Sequence, residues 1–220
     1  MSRYAPFIIV GLVAAAALGS GTYLYRAKRA ANPPLKISKE TGEQGGESAH
    51  VLGPADAAVT LEEFGDFQCP PCGRLSEPIN QLQKQYNLRL IYRNFPLPVH
   101  EHAKEAAYAA EAAGRQGRFW QMHDLLYREQ AVWSKSPDAR TLFNAYAGML
   151  QLDLSRFKQD MDNSEVQRQV DLDKERGALI GVTNTPTIFL NNQAVAPEQL
   201  NPENLGAAVE AAVKNAKPSS

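Results

Sequence analysis

Two cysteines occur in the 220 residues of the chain, standing together as Cys69-Pro70-Pro71-Cys72. A thiol pair at this spacing can be half of a metal site, a small structural bridge, or a dithiol that exchanges electrons with other thiols. A structural zinc site needs four ligands, and the sequence has no second such pair. His100 and His102 could complete one, but alternate residues after Pro98 read more simply as a helix start with its rings in solvent. No metal is therefore expected, and no cofactor. A bridge made for stability is also a poor use of the pair, because so short a loop constrains the unfolded chain little. Redox exchange is the chemistry that this spacing serves best.

The flanking elements sharpen that reading. Val59 to Phe64 (VTLEEF) is rich in β-formers and runs into a loop at Gly65-Asp66, after which the cysteines follow. Leu75, Ile79, Leu82 and Tyr86 then recur at helical spacing, Asn87 closes the run, and Leu88 to Phe95 returns to strand character. This is a βαβ unit with parallel strands. Its geometry places Cys69 at the first helical turn, where unpaired N–H groups and the positive dipole end favour a thiolate. Cys69 is thus the expected nucleophile, and Cys72, one turn deeper, the resolving thiol.

From residue 101 to about 180 the signals are helical: Ala103 to Ala113, Phe119 to Arg128, a run after Ser136-Pro137-Asp138, and Leu154 to about Ile180. Thr187 to Leu190 (TIFL) is a strand, Asn191-Asn192 suits a two-residue hairpin turn into Gln193 to Val195, and Pro202 to Asn215 carries an apolar helical stripe. The class is α/β.

The run Glu63-Phe64-Gly65-Asp66-Phe67-Gln68-Cys69-Pro70-Pro71-Cys72-Gly73 resembles the active-site run of the DsbA-like branch of the thioredoxin superfamily. Gly181-Val182-Thr183-Asn184-Thr185-Pro186-Thr187 resembles its cis-proline loop, and the similarity spans roughly residues 50 to 215. The resemblance implies a thioredoxin fold with a helical insertion between the βαβ and ββα halves. It implies a cis bond at Thr185-Pro186, with Pro186 against the cysteines and Thr185 offering backbone groups to an extended client strand; an ordinary trans proline opening a strand is the alternative. It also puts Glu63 beneath the disulfide as a buried acid that could relay the proton of Cys72. Strand alternation requires Glu62 or Glu63 to face outward, so a surface role for Glu63 stays open. Asp66 reads as a loop residue, His123 as a satisfied or exposed histidine, and Phe67, Phe119 and Trp120 as core rather than client surface.

The Pro70-Pro71 dipeptide departs from the Pro-His pair of strongly oxidising members. Pro71 offers no N–H and no imidazolium to Cys69. The Cys69 thiol is therefore expected to titrate above the value of about 3.5 of those members, and the pair to be a weaker oxidant.

Residues 5 to 24 are uncharged and long enough to cross roughly 30 Å of hydrocarbon. They read as an N-terminal transmembrane or signal segment within residues 1–29. Ala15-Ala16-Ala17 would suit a signal peptidase, while Tyr25 and the basic Arg26, Lys28 and Arg29 suit an uncleaved anchor. Those basic residues outnumber Arg3, a charge bias toward a cytoplasmic C-terminus that the export-type segment outweighs. Residues 30–50 read as a flexible linker and 51–216 as the catalytic domain. Four of the 23 basic residues precede Ala30 and all 24 acidic ones follow it, so the remainder carries a net charge of −5. No nucleic-acid partner is implied. The expected protein is an extracytoplasmic monomer, membrane-anchored or secreted, that donates disulfides to unfolded or reduced exported proteins. A membrane quinone-linked partner would reoxidise it. An extracytoplasmic reductase and a redox-inert peptide-binding adaptor are the alternatives.

Overall fold

The structure, a computed structural model, describes residues 50–216. The expected membrane or signal segment and nearly all of the expected linker lie outside the described residues, among which no helix is long and apolar enough to cross a membrane. Strands β1 (Val51–Leu52), β2 (Thr60–Gly65), β3 (Arg89–Asn94), β4 (Thr187–Leu190) and β5 (Gln193–Ala194) form a mixed sheet of order β1-β3-β2-β4-β5. β2 and β3 run parallel, with Glu63 beside Tyr92, and the other pairings are antiparallel. Helix α1 (Pro70–Tyr86) makes the crossover between the parallel strands. It opens with both prolines in its first turn, where their missing N–H groups cost nothing, and Cys69 is its N-cap. Asn87 ends it in the left-handed conformation, φ 50°.

Six helices fill the insertion: α2 (Ala103–Gly114), α3 (Phe119–Arg128), α4 (Gln130–Trp133), α5 (Ala139–Met149), α6 (Leu154–Met161) and α7 (Ser164–Leu179). The run expected from Leu154 to Ile180 is broken in two, because Asn163 takes an extended conformation and its side chain accepts the Glu165 N–H as a cap. Asn191 and Asn192 both have positive φ, 47° and 66°, as a two-residue turn between β4 and β5 requires. A 3-10 turn and α8 (Pro202–Asn215) complete the described chain. His50, at the end of the expected linker, is buried: its carbonyl accepts the Tyr92 N–H and its ring stacks on Phe119.

The sheet is covered on both faces, which corrects the expectation that Glu62 or Glu63 must face water. On one face Leu61, Leu90 and Ile188 pack with Leu75, Ile79, Leu205 and Val209 of α1 and α8. On the other, α7 lies over Phe64 and Phe95, and Glu62 is held by Arg93 (3.0 Å) and Arg176 (3.3 Å). Arg93 also pairs with Asp173 at 3.0 Å, and burial pushes the Asp173 carboxyl up to about 6 against the pull of that arginine. A Cβ at Gly177 would stand 2.7 Å from the Phe95 ring and 3.0 Å from Phe64. Gly177→Ala is therefore expected to destabilise the fold by about 1–2 kcal/mol despite alanine's helix preference, read as a lower urea midpoint.

Candidate active site

The parallel pair and its crossover bring the cysteines to the top of the sheet. There they pack with Phe67, Tyr92 and the Ala-rich α2 in the core of the helical insertion. Both are free thiols in this structure and both are buried, Cys72 completely. The thiol of Cys69 donates to the carbonyl of Thr185 at 3.3 Å, across 116 residues of sequence, and the Thr185-Pro186 bond is cis. The cis-proline loop therefore lies against Cys69, as the sequence leads one to expect. A hydrogen bond from the Cys72 thiol pulls Cys69 down to about 6; burial opposes this, and Thr185 and the backbone N–H of Cys72 add to it. Cys72 is pushed well up, first by burial and then by its bond to Cys69 and the charges of Glu63 and Cys69. One thiol ionises readily and the other holds its proton, which is the division of labour between attacking and resolving sulfurs.

Glu63 is buried beneath them, not on the surface. Its Oε1 has no hydrogen-bond partner among the described residues. Desolvation, helped by the Cys69 charge, lifts its carboxyl to about 8, so it carries a proton at neutral pH. Tyr92 and Tyr127 share a hydrogen bond of 2.9 Å beside Gly65, where a Cβ would collide with both hydroxyls.

Asp66, read from the sequence only as a loop residue, holds the loop together with Gln68 and Gln130, to which the sequence assigned no role. Asp66 is a loop residue with a fully buried side chain: Oδ1 accepts the Gln68 N–H, and Oδ2 accepts the Leu97 N–H and contacts His100 Nδ1 at 2.7 Å. Gln68 accepts the His102 N–H and donates to the Ser134 carbonyl. Gln130 donates to the carbonyls of Phe67 (2.6 Å) and Cys69 (3.0 Å). The His100 ring is therefore only partly in solvent, being drawn to Asp66. The cue available in sequence was only that Asp66 lies three residues before Cys69.

Phe67 and Phe119 are core, as expected, and Trp120 packs half-buried beside them. His123 is enclosed by Phe67, Tyr92, Trp120 and Tyr127, with Nδ1 2.9 Å from Asp124, and burial lowers its pKa. Among the described residues no three or more His, Cys, Asp or Glu side chains are gathered to hold a metal ion.

A reactive thiol at a helix N-terminus, a buried partner and a cis-proline carbonyl define the site of a thiol-based oxidoreductase on a thioredoxin-like fold. The family model described as Thioredoxin matches residues 46–211, and the chain belongs to that thioredoxin family. Among solved structures it is similar to oxidised BdbD from Bacillus subtilis: TM-score 0.67, 23% identity, 84% of this chain and 100% of that one. A thioredoxin-like oxidoreductase from Silicibacter pomeroyi gives 0.64 and 27% identity over 80% of this chain and 99% of that one. Alpha-DsbA1 from Wolbachia pipientis gives 0.63 and 16% over 76% and 91%. Curated relatives carry a different name. A Na(+)/H(+) antiporter NhaA 1 of Salinispora arenicola is 40% identical over 146 residues, which is 66% of this chain and 22% of the antiporter. One of Mycolicibacterium gilvum is 34% identical over 197 residues, 84% of this chain and 30% of the antiporter. The chain thus matches under a third of the length of these relatives, and the activity in their names is theirs.

Proposed function

We propose that the chain is an extracytoplasmic protein-disulfide oxidoreductase that donates the Cys69–Cys72 disulfide to reduced exported proteins. The observation that carries this is the contrast between the two sulfurs: Cys69, lowered to about 6, faces the Thr185 carbonyl, while Cys72 is sealed beneath it near Glu63. A client thiolate attacks Cys69, the Cys69–Cys72 bond breaks, and Cys72 leaves and takes up a proton. A second client thiolate then displaces Cys69, so two electrons pass from client to protein. The backbone beside Pro186 receives the client as an extended strand. An oxidant of the membrane quinone class returns the pair to the disulfide. The catalytic part works as a monomer, held to a membrane by residues 1–29 or released by their cleavage. Relatives named as antiporters agree with work beside a membrane.

A thiol at about 6 lies above the value of about 3.5 for the strongest oxidants, in keeping with Pro71 in place of a histidine. The full chain equilibrated against glutathione buffers with thiol trapping is expected to show a potential near about −180 mV. A value near about −270 mV would make it a reductase that needs an electron donor. Client oxidation surviving in Cys69→Ser/Cys72→Ser protein would leave the adaptor reading standing.

A further inference from the structure

The active-site motif lacks an imidazole between its cysteines, yet the fold brings one to it from the β3–α2 loop. Asp66 touches the site in three ways. Its carbonyl accepts the Cys69 N–H at 3.0 Å, its backbone supports the Cys72 sulfur, and its carboxylate lies close enough to oppose the Cys69 thiolate. That carboxylate is fully buried and its Oδ2 meets Nδ1 of His100 at 2.7 Å, the His100 side chain being 19% exposed. Solvent thus reaches the imidazole and not the acid.

We propose that His100 is a positioning residue of the exchange reaction, whose charge balances Asp66 and so sets how readily Cys69 becomes a thiolate. With His100 protonated, the carboxylate is paired and the thiolate beside it is tolerated. With His100 neutral, the bare carboxylate works against the thiolate. The titratable groups facing Asp66 are Cys69 and Cys72 from α1, Tyr92 from β3 and His100. Beside His100 in the chain, Glu101 is exposed and His102 is half-buried with its amide on Gln68. The Leu97 N–H bond to Asp66 fixes the same loop whatever the charge of the ring, so anchoring alone does not need an imidazole.

The inference rests on Cys69 being the exchanging thiol, and its test reads the thiolate directly by absorbance at 240 nm across pH in the reduced full chain. In His100→Gln, which can still donate to Asp66 but carries no charge, the Cys69 midpoint is expected to rise by roughly half a pH unit or more. His100→Lys, charged throughout, should hold it at or below the wild-type value. Asp66→Asn should lower it. Should Asp66→Asn fail to fold by circular dichroism, the two His100 variants decide. An unmoved or lowered midpoint in His100→Gln, or equal midpoints in His100→Gln and His100→Lys, overturns the proposal. A chain that showed these shifts yet moved no disulfide between clients would refute the proposed function and leave the dyad standing.

Discussion

Reduced Cys72→Ser protein mixed with an oxidised client is expected to accumulate a covalent Cys69–client adduct that wild-type protein resolves. Cys69, down at about 6, is largely thiolate at neutral pH and attacks one sulfur of the client disulfide. A Cys69–client bond forms, and the other client sulfur leaves as a thiolate and takes a proton. In the wild type Cys72 then gives up its proton and attacks Cys69, the Cys69–Cys72 bond forms, and the second client thiolate departs. That attack is intramolecular from a buried thiol held one helical turn away, so its loss should lengthen adduct lifetime by on the order of 10³-fold or more. Serine is the informative choice because its hydroxyl can replace part of the hydrogen bond by which Cys72 lowers Cys69. Cys69→Ser should form no adduct, since Cys72 is fully buried and its thiol is pushed well up. Non-reducing electrophoresis with mass spectrometry checks both variants. An adduct that formed through Cys72 in Cys69→Ser, or that resolved at wild-type speed in Cys72→Ser, would overturn the assignment of roles.

The parts of this site that were legible in the sequence are those carried by local pattern. Cys69 and Cys72 between a β-run and a helical repeat placed the thiols, and the Thr185-Pro186 loop was found by its resemblance to a known motif. The helix Pro202–Asn215 and the Asn191-Asn192 turn follow from an apolar stripe and from side chains that tolerate positive φ. What stayed hidden depends on contacts between distant segments. β1 is two residues long and exists through its pairing with Ile91 and Leu90, so it has no periodicity to read. Alternation assumes one wet face and so put one of Glu62 and Glu63 in solvent, whereas both are buried. Arg93 and Arg176, reaching Glu62 from β3 and α7, are what make its burial tolerable. Gln130 and His100 reach the active-site loop from 61 and 34 positions away, and no spacing rule connects them to Cys69 or Asp66.

The burial of Glu63 gives it the second large expected effect. Its carboxyl, raised from 4.5 to about 8 first by desolvation and then by the Cys69 charge, is neutral at pH 7 and can hand a proton to Cys72 as that sulfur leaves the opened disulfide. Glu63→Gln is expected to slow disulfide opening by a client thiolate on the order of 10²-fold at pH 7. The two proteins should converge above about pH 8, where the wild-type carboxyl has itself lost the proton. Stability gives an independent reading with a fixed sign. Because the folded pKa is raised, the folded chain keeps a proton that the unfolded chain releases from pH 4.5 upward. The contribution of Glu63 to wild-type stability is therefore fully present below 4.5, is lost as pH rises, and stops falling once pH passes about 8. Glutamine does not titrate, so with the disulfide closed, where burial acts without the Cys69 charge, Glu63→Gln should gain on wild type by at most on the order of 4 kcal/mol between pH 4 and pH 9. Urea unfolding of both proteins at the two pH values measures that difference. Parallel pH dependence in the two proteins would mean that Glu63 ionises as an ordinary carboxylate and that the proton of Cys72 travels by another group.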